Sequence, residues 1–427
     1  MKLVRNQKGM ALLMLLLIFT LITSLYVLRS LDSTAISNER VEKTQKALAE
    51  AKIALLSFAS TRDFAPAGCG NNCPRPGDLP CPDTNNDGFA ELSCGNAAGT
   101  TGQANRLGRL PWRNLGIPDL RDGYGERLWY AVSSRYKNNS RFRPLNSDTA
   151  ATITLRNSAG NIVNDASATL GLAAVVISPG LAFTRADAIV QVRNGANQNL
   201  AVNYLDIAFG EDNQNFVESN VNGFISGPVR DAAGNLIVND RVLVITRADM
   251  TEVMEKRVLA EVRNALTVGV YPDPASFADA TCLGNGLINA PSCSESLGIT
   301  RGRIPANPTA SWNATSILRG ENSNNWFQLN AWREQVYYAV SSVCVPMPAP
   351  PVSCLTLNNA LTAPMDGKPL VLIASGAALA GQVRATNANK TQVINYLEDV
   401  NLMPLDDVYV RTSPLTALIN DRAISFP

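Results

Sequence analysis

Asp83-Thr84-Asn85-Asn86-Asp87-Gly88 is the stretch of this chain whose residue types and spacing most directly suggest chemistry. It matches the opening D-x-[DN]-x-[DN]-G of a calcium loop, where alternate oxygen ligands face one ion and the glycine permits a sharp turn. The twelfth position is Cys94 and not a bidentate glutamate, so Glu91 or a backbone carbonyl would have to complete the shell. Asp83, Asn85, Asp87 and Glu91 are therefore the candidate calcium ligands. The same residues also make an ordinary Asx-rich turn held by a Cys81 and Cys94 pair. The second half of the chain has Leu283-Gly284-Asn285-Gly286 in the corresponding region, without acids, so at most one such site is expected.

Eight cysteines fall four to each half: Cys69, Cys73, Cys81 and Cys94, then Cys282, Cys293, Cys344 and Cys354. An even count in a chain with an export signal argues for disulfides in an oxidising compartment. Cys69 and Cys73 also suggest half a zinc site. Against this, three residues separate them, Cys81 and Cys94 lack a matching spacing, and histidine is absent. Local pairing is the simplest arrangement, Cys69 with Cys73, Cys81 with Cys94, Cys282 with Cys293 and Cys344 with Cys354, although spacing does not fix connectivity.

The absence of histidine from all 427 residues removes the usual general base, the commonest metal ligand and every Ser-His or Cys-His nucleophile pair. No local signature marks a Ser-Lys nucleophile or a catalytic carboxylate pair, so the chain is not expected to be an enzyme or to require a cofactor. Lys plus Arg (37) nearly balances Asp plus Glu (36), so no basic field points to nucleic acid as a partner.

The elements that would position these residues begin at the N-terminus. Lys2, Arg5 and Lys8 precede an uncharged apolar run from Met10 to Leu28, and no glycine or proline occurs from Met10 to Ala65. One helix is expected to run through this whole stretch. At 1.5 Å per residue the uncharged run reaches roughly 28 Å, which predicts a single membrane span. The basic flank places the N-terminus in the cytoplasm and the body across the bacterial inner membrane, in the periplasm.

A short basic leader ending in Lys8-Gly9, followed at once by Met10-Ala11-Leu12-Leu13 and an amphipathic helix, resembles the prepilin signal of type IV pilins and type II secretion pseudopilins. The resemblance implies cleavage after Gly9 by a prepilin peptidase, N-methylation of Met10, and other pilin or pseudopilin subunits as partners. Most members carry a glutamate at the fifth mature position, here Met14. Its absence resembles the K-type minor pseudopilin and some minor pilins, and implies a place at or near the filament tip, on the cell surface or pilus after assembly. The alternative is a static single-pass protein whose exported part is an adhesin-like binding pair.

A duplication runs through the exported part. Glu126-Arg127-Leu128-Trp129-Tyr130-Ala131-Val132 reappears as Glu334-Gln335-Val336-Tyr337-Tyr338-Ala339-Val340, and Gly108-Arg109-Leu110-Pro111 as Gly302-Arg303-Ile304-Pro305. Asn203-Tyr204-Leu205-Asp206 matches Asn395-Tyr396-Leu397-Glu398, and Asn239-Asp240-Arg241 matches Asn420-Asp421-Arg422, always in the same order. Glu42-Lys43 before Ala47-Leu48-Ala49-Glu50 is echoed by Glu255-Lys256 before Val258-Leu259-Ala260-Glu261. The stripe Val41, Thr44, Leu48, Ala51, Leu55 and Phe58 is expected to lie on a sheet. Asp249 with Glu252 reads as a capping box, and Gly269 as a stop.

Strands are predicted at 128–133, 150–155, 173–178, 188–192 and 241–246, with turns at Gly160 and Gly234. The expected fold class is α+β. It comprises a leader (1–9), a membrane-spanning helical segment (10–31), and two tandem pilin-like domains (32–246 and 247–427), each a helix on an antiparallel sheet.

Overall fold

The computed structural model describes residues 8–62, 74–95, 106–139, 141, 143–166, 170–215, 223–266, 271–283, 293–307, 317–319, 326–341, 344, 354–359, 362–404, 407–411 and 418–425, with only the backbone given at 8–12, 24–34, 359, 362 and 363. A chain without glycine or proline from Met10 to Ala65 has nothing to interrupt helical hydrogen bonding, and α1 runs unbroken over Lys8–Thr61, 54 residues.

The rest is a mixture of helices and small sheets. First come β1 (Leu107–Arg109), α2 (Trp112–Leu115), β2 (Trp129–Val132), β3 (Leu155–Arg156), β4 (Ile162–Asn164) and β5 (Leu172–Ser178). Then follow β6 (Ile207–Ala208), β7 (Glu211–Asp212), β8 (Phe224–Ile225), β9 (Val229–Arg230), β10 (Leu236–Val238), β11 (Arg241–Thr246) and α3 (Arg247–Ala265). After α3 lie β12 (Arg301–Arg303), β13 (Val336–Val340), β14 (Leu355–Asn359), β15 (Thr362–Lys368), β16 (Leu370–Ala374), β17 (Val408–Arg411) and β18 (Arg422–Ser425).

The two principal sheets have the orders β1-β2-β5-β11 and β12-β13-β16-β18. Their registers correspond: Gly108 pairs with Tyr130 as Gly302 pairs with Tyr338, and Arg241 with Ser178 as Arg422 with Ala374. The glycines are steric necessities, because a Cβ on Gly108 would lie 2.5 Å from the Asp83 carbonyl oxygen and one on Gly302 2.0 Å from that of Ala275.

The expectation of a membrane-spanning helix followed by tandem helix-on-antiparallel-sheet domains requires correction. Among the described residues no helix is long and apolar enough to cross a membrane. The single-pass inner-membrane placement is withdrawn with it. Nor are all sheets antiparallel, since β3 pairs with β8 and β14 with β17 in parallel.

The helices also do more than cover one sheet each. Leu48, Ala51 and Leu55 of α1, Met254, Val258 and Leu259 of α3, Tyr130 and Val176 of the first sheet and Tyr338 and Leu372 of the second belong to one buried apolar cluster. Each sheet's opposite face has its own smaller core, around Trp129 and Phe224 in the first and around Tyr337 and Tyr409 in the second.

Local expectations fared unevenly. Strand 241–246 is found as expected, whereas 150–155 retains an isolated bridge from Ile153 to Leu172 and strand from Leu155, and 188–192 only an isolated bridge from Val190 to Thr184. Gly160 and Gly234 take positive φ in their turns. The α3 capping box is Thr246 with Asp249 and not Asp249 with Glu252, because the helix begins one turn earlier than its apolar pattern. Val41 is exposed, while the remaining stripe residues are buried except for the half-buried Phe58. Gly269 lies outside the described residues.

Candidate functional site

Two parts of α1 behave differently. From Thr44 onward one face is buried in the shared core, and Gly123 lets the helix backbone approach closely, since a Cβ there would meet the Arg40 carbonyl oxygen at 2.1 Å. Toward the N-terminus, by contrast, the large apolar side chains from Leu13 to Ile22 are all 56–68% exposed, Met14 among them. A contiguous apolar surface of this kind marks an interaction site more often than a solvent-facing helix. Gly9 and Met10, the expected processing positions, lie in the first turn of α1, and residues 1–7 lie outside the described residues.

The repeated strings build a duplicated polar network in the body. Arg109 is stacked between Trp129 (4.2 Å from the guanidinium to the ring centre) and Tyr204 (4.0 Å), and Arg193 covers the same tyrosine at 4.7 Å. In the second copy Arg303 lies over Phe277 (4.1 Å) and Tyr396 (5.3 Å), with Arg384 over Tyr396 at 4.3 Å. Arg193 Nε donates to the Asn203 carbonyl and Arg384 Nε to that of Asn395. Burial pushes the Arg109 guanidinium down to about 10, which leaves it charged at neutral pH.

Next to each stack lies a carboxyl pair, fully buried in the first copy and with Glu398 half-buried in the second. Asp206 accepts from the Asn239 N–H at 2.7 Å and Asp240 accepts from the Asp206 N–H at 2.8 Å. Glu398 accepts from the Asn420 N–H at 3.1 Å and Asp421 from the Glu398 N–H at 3.2 Å. Burial raises Asp206 to about 6, and burial together with the neighbouring Asp206 charge raises Asp240 well above the carboxylate range. Asp421 is raised likewise by burial and Glu398. The backbone N–H groups of the loops converge on these carboxyls, and neither pair lines the larger surface groove or the smaller cleft of the second copy. They act as staples of the loops. The paired motifs containing Asp206, Asp240, Glu398 and Asp421 were visible as repeats, but sequence alone gave no sign that the acids face one another.

The Asp83 loop is a capped turn. Its carboxylate accepts the N–H groups of Asn86 (2.6 Å), Asp87 (3.3 Å) and Gly88 (2.7 Å). Asn85 Nδ2 donates to Asp87 at 3.0 Å, and Glu91 accepts from the Thr84 N–H at 3.2 Å and from the Thr84 hydroxyl. Asp83, Asn85, Asp87 and Glu91 are thus neighbours whose oxygens are directed at N–H and O–H donors. Among the described residues no group of three or more Cys, Asp or Glu is disposed to hold a metal ion.

Disulfides join Cys81 to Cys94, Cys282 to Cys293 and Cys344 to Cys354, the local pairs expected. Cys69 and Cys73 lie outside the described residues. Cys81 and Cys94 close the loop that carries the Asp83 turn, while Cys282 and Cys293 form a small buried cluster with Ala275 and Ala306.

No family model, no curated protein and no solved structure matches this chain.

Proposed function

We propose that this protein is a minor filament subunit of the pilin or pseudopilin type, acting by assembly and not by catalysis. The observation that carries the reading is the division of α1: one helix of 54 residues, its C-terminal part seated in the body and its N-terminal part presenting Leu13 to Ile22 uncovered. Ten residues of exposed apolar helix gain by burial against other apolar helices at about 25 cal/mol per Å². Helices of neighbouring subunits are the natural cover. The basic leader ending at Gly9 supplies the processing step, by a prepilin peptidase, that would expose Met10 as the new terminus.

The three disulfides support a location outside the cytoplasm, where such bonds persist. Met14 supports a place at or near the tip. A carboxylate at that position would neutralise the terminal amine of the next subunit, whose burial is costly unless paired. A subunit at the end of the filament has no such neighbour to neutralise.

Mass spectrometry of the mature protein is expected to find an N-terminus at methylated Met10, and sheared filaments are expected to contain few copies relative to the major subunit. An intact Met1 on the functional protein, or labelling along the whole shaft at near-equal stoichiometry, would overturn the proposal.

A further inference from the structure

A groove of about 540 Å³ runs between α1, from Ser37 to Leu48, and the β9–β10 hairpin, with the start of β11 as its floor. Its lining includes Arg40, Arg230 and Arg241 and contains no acidic residue. All three arginines are exposed, and none forms an ion pair with an acid among the described residues; Arg40 stacks on Tyr124 at 5.1 Å and Arg230 donates to the Gly234 carbonyl at 2.8 Å.

The second copy shows what this arrangement holds when it is complete. Arg422 occupies the place of Arg241, because each opens its strand opposite the matching residue of the central strand, Ala374 and Ser178 respectively. On the helices the buried positions align at a constant offset of 211: Ala47, Leu48 and Ala51 correspond to Val258, Leu259 and Val262. The same offset sets Thr44 opposite Glu255. The Glu42-Lys43 and Glu255-Lys256 similarity, at an offset of 213, instead matches the exposed Glu42 to the fully buried Glu255. In the second copy the fully buried Glu255 carboxylate meets Arg422 at 3.4 Å and accepts from Ser147 at 2.8 Å. In the first copy the helix offers only the Thr44 hydroxyl, which bonds to the Gly123 N–H and the Arg40 carbonyl. The first copy therefore keeps the arginine and lacks the carboxylate.

We propose that this groove is a docking site for an extended acidic peptide segment of another protein, which supplies to Arg241 the carboxylate that Glu255 supplies to Arg422. The dimensions agree: eleven helical steps from Ser37 to Leu48 span about 16 Å, close to the length of five extended residues. β11 is the outer strand of its sheet, paired only with β5; at the groove its Val242 N–H already donates to the Ser226 hydroxyl at 3.3 Å, so the charge of the arginines and not strand addition carries the recognition. Arg40 and Arg230 favour negative charge on the segment and speed its encounter. This inference does not depend on the filament reading.

The test is fluorescence anisotropy of the full chain with fluorescein-labelled Val-Glu-Val-Glu-Val, with Val-Gln-Val-Gln-Val as the neutral control. The acidic peptide is expected to bind and the neutral one to bind at least about tenfold more weakly. Arg241→Gln is expected to weaken binding about tenfold, and Thr44→Glu, which installs the missing carboxylate, to abolish it; Arg113→Gln, on the exposed Trp112 turn, should change nothing. Because Thr44→Glu disturbs a packed contact, its melting temperature is measured alongside, and the exposed Arg241 carries the test if that variant fails to fold. The proposal is overturned if the acidic peptide does not bind, if Arg241→Gln binds it as well as the parent, or if the neutral peptide binds equally. Competition by free glutarate at the peptide's own concentration would also overturn it, by assigning the groove to a small dianion.

Discussion

Lys52 of α1 and Asp249 of α3 form an ion pair, 2.8 Å from Nζ to Oδ2, across 197 residues of sequence. The same carboxylate accepts from the Thr246 N–H and hydroxyl, so one acid both caps α3 and ties it to α1. Burial works against the Asp249 charge, but the hydrogen bonds from Lys52 and Thr246 outweigh it and hold its pKa below the ordinary value.

Removing either partner should therefore cost unequal amounts. Lys52→Met is expected to lose about 0.5–1 kcal/mol, as for a partly exposed pair, and Asp249→Ala about 1–2 kcal/mol because the cap goes too. A depressed acid stabilises the fold above its unfolded pKa and loses that contribution as pH falls through the folded value. Urea unfolding of the parent and Asp249→Asn should thus differ at pH 6 and converge below about pH 4. Equal losses for both variants at pH 6 would contradict the double role.

Glu255 predicts the opposite trend. Burial raises it from 4.5 to about 7, with Ser147 and Arg422 opposing only in part. A carboxyl whose folded pKa is raised favours the folded state below its unfolded pKa, and that contribution is lost as pH rises through the folded value. Stability should therefore fall from pH 5 to pH 8, by an amount of order 2 kcal/mol for this group. Asp206, raised by burial to about 6, adds a loss of the same sign. Glu255→Gln should reduce the fall measured by urea midpoints; an unchanged pH slope would show that Glu255 ionises normally.

Leu259 tests whether the two copies stand or fall together. It is fully buried in the cluster that includes both principal sheets, and Leu259→Ala should cost about 2–5 kcal/mol. Hydrogen exchange read by mass spectrometry should show β5 and β16 losing protection together. Loss confined to β16 would mean that the shared core does not couple them.

The Asp83 turn makes a prediction about calcium. With its carboxylate already capping three N–H groups, melting temperatures with calcium and with a chelator should agree. Opening the loop by Cys81→Ser with Cys94→Ser should cost about 2–3 kcal/mol, since a disulfide of this separation (13 residues) restricts the unfolded chain. A calcium-dependent rise in melting temperature that Asp87→Ala removes would restore the ion-binding reading.

Much of this architecture was legible in the chain because it rests on local rules or on repetition. An unbroken helix follows from the lack of glycine and proline after Met10, and a β-branched run drew β11 correctly. The close cysteine spacings led to the three described disulfides, since short loops bring their ends together readily. Repeated strings marked which residues correspond between the copies, and the two glycines before Arg109 and Arg303 proved to be points where a strand crosses a neighbouring carbonyl.

Tertiary structure decided what depends on neighbours distant in sequence. Periodicity could not say that α1 and α3 share one core, because an apolar stripe is silent about which surface covers it. Nor could residue type distinguish a calcium ligand from a turn cap at Asp83, since the same oxygens serve both and only the placement of the N–H groups separates them. The carboxyl pairs Asp206 with Asp240 and Glu398 with Asp421, and the contrast between Thr44 beside Arg241 and Glu255 beside Arg422, arise from strands and helices brought together over tens to hundreds of residues. Charge in a sequence is only composition; burial and distance turn it into a staple in one copy and an open groove in the other.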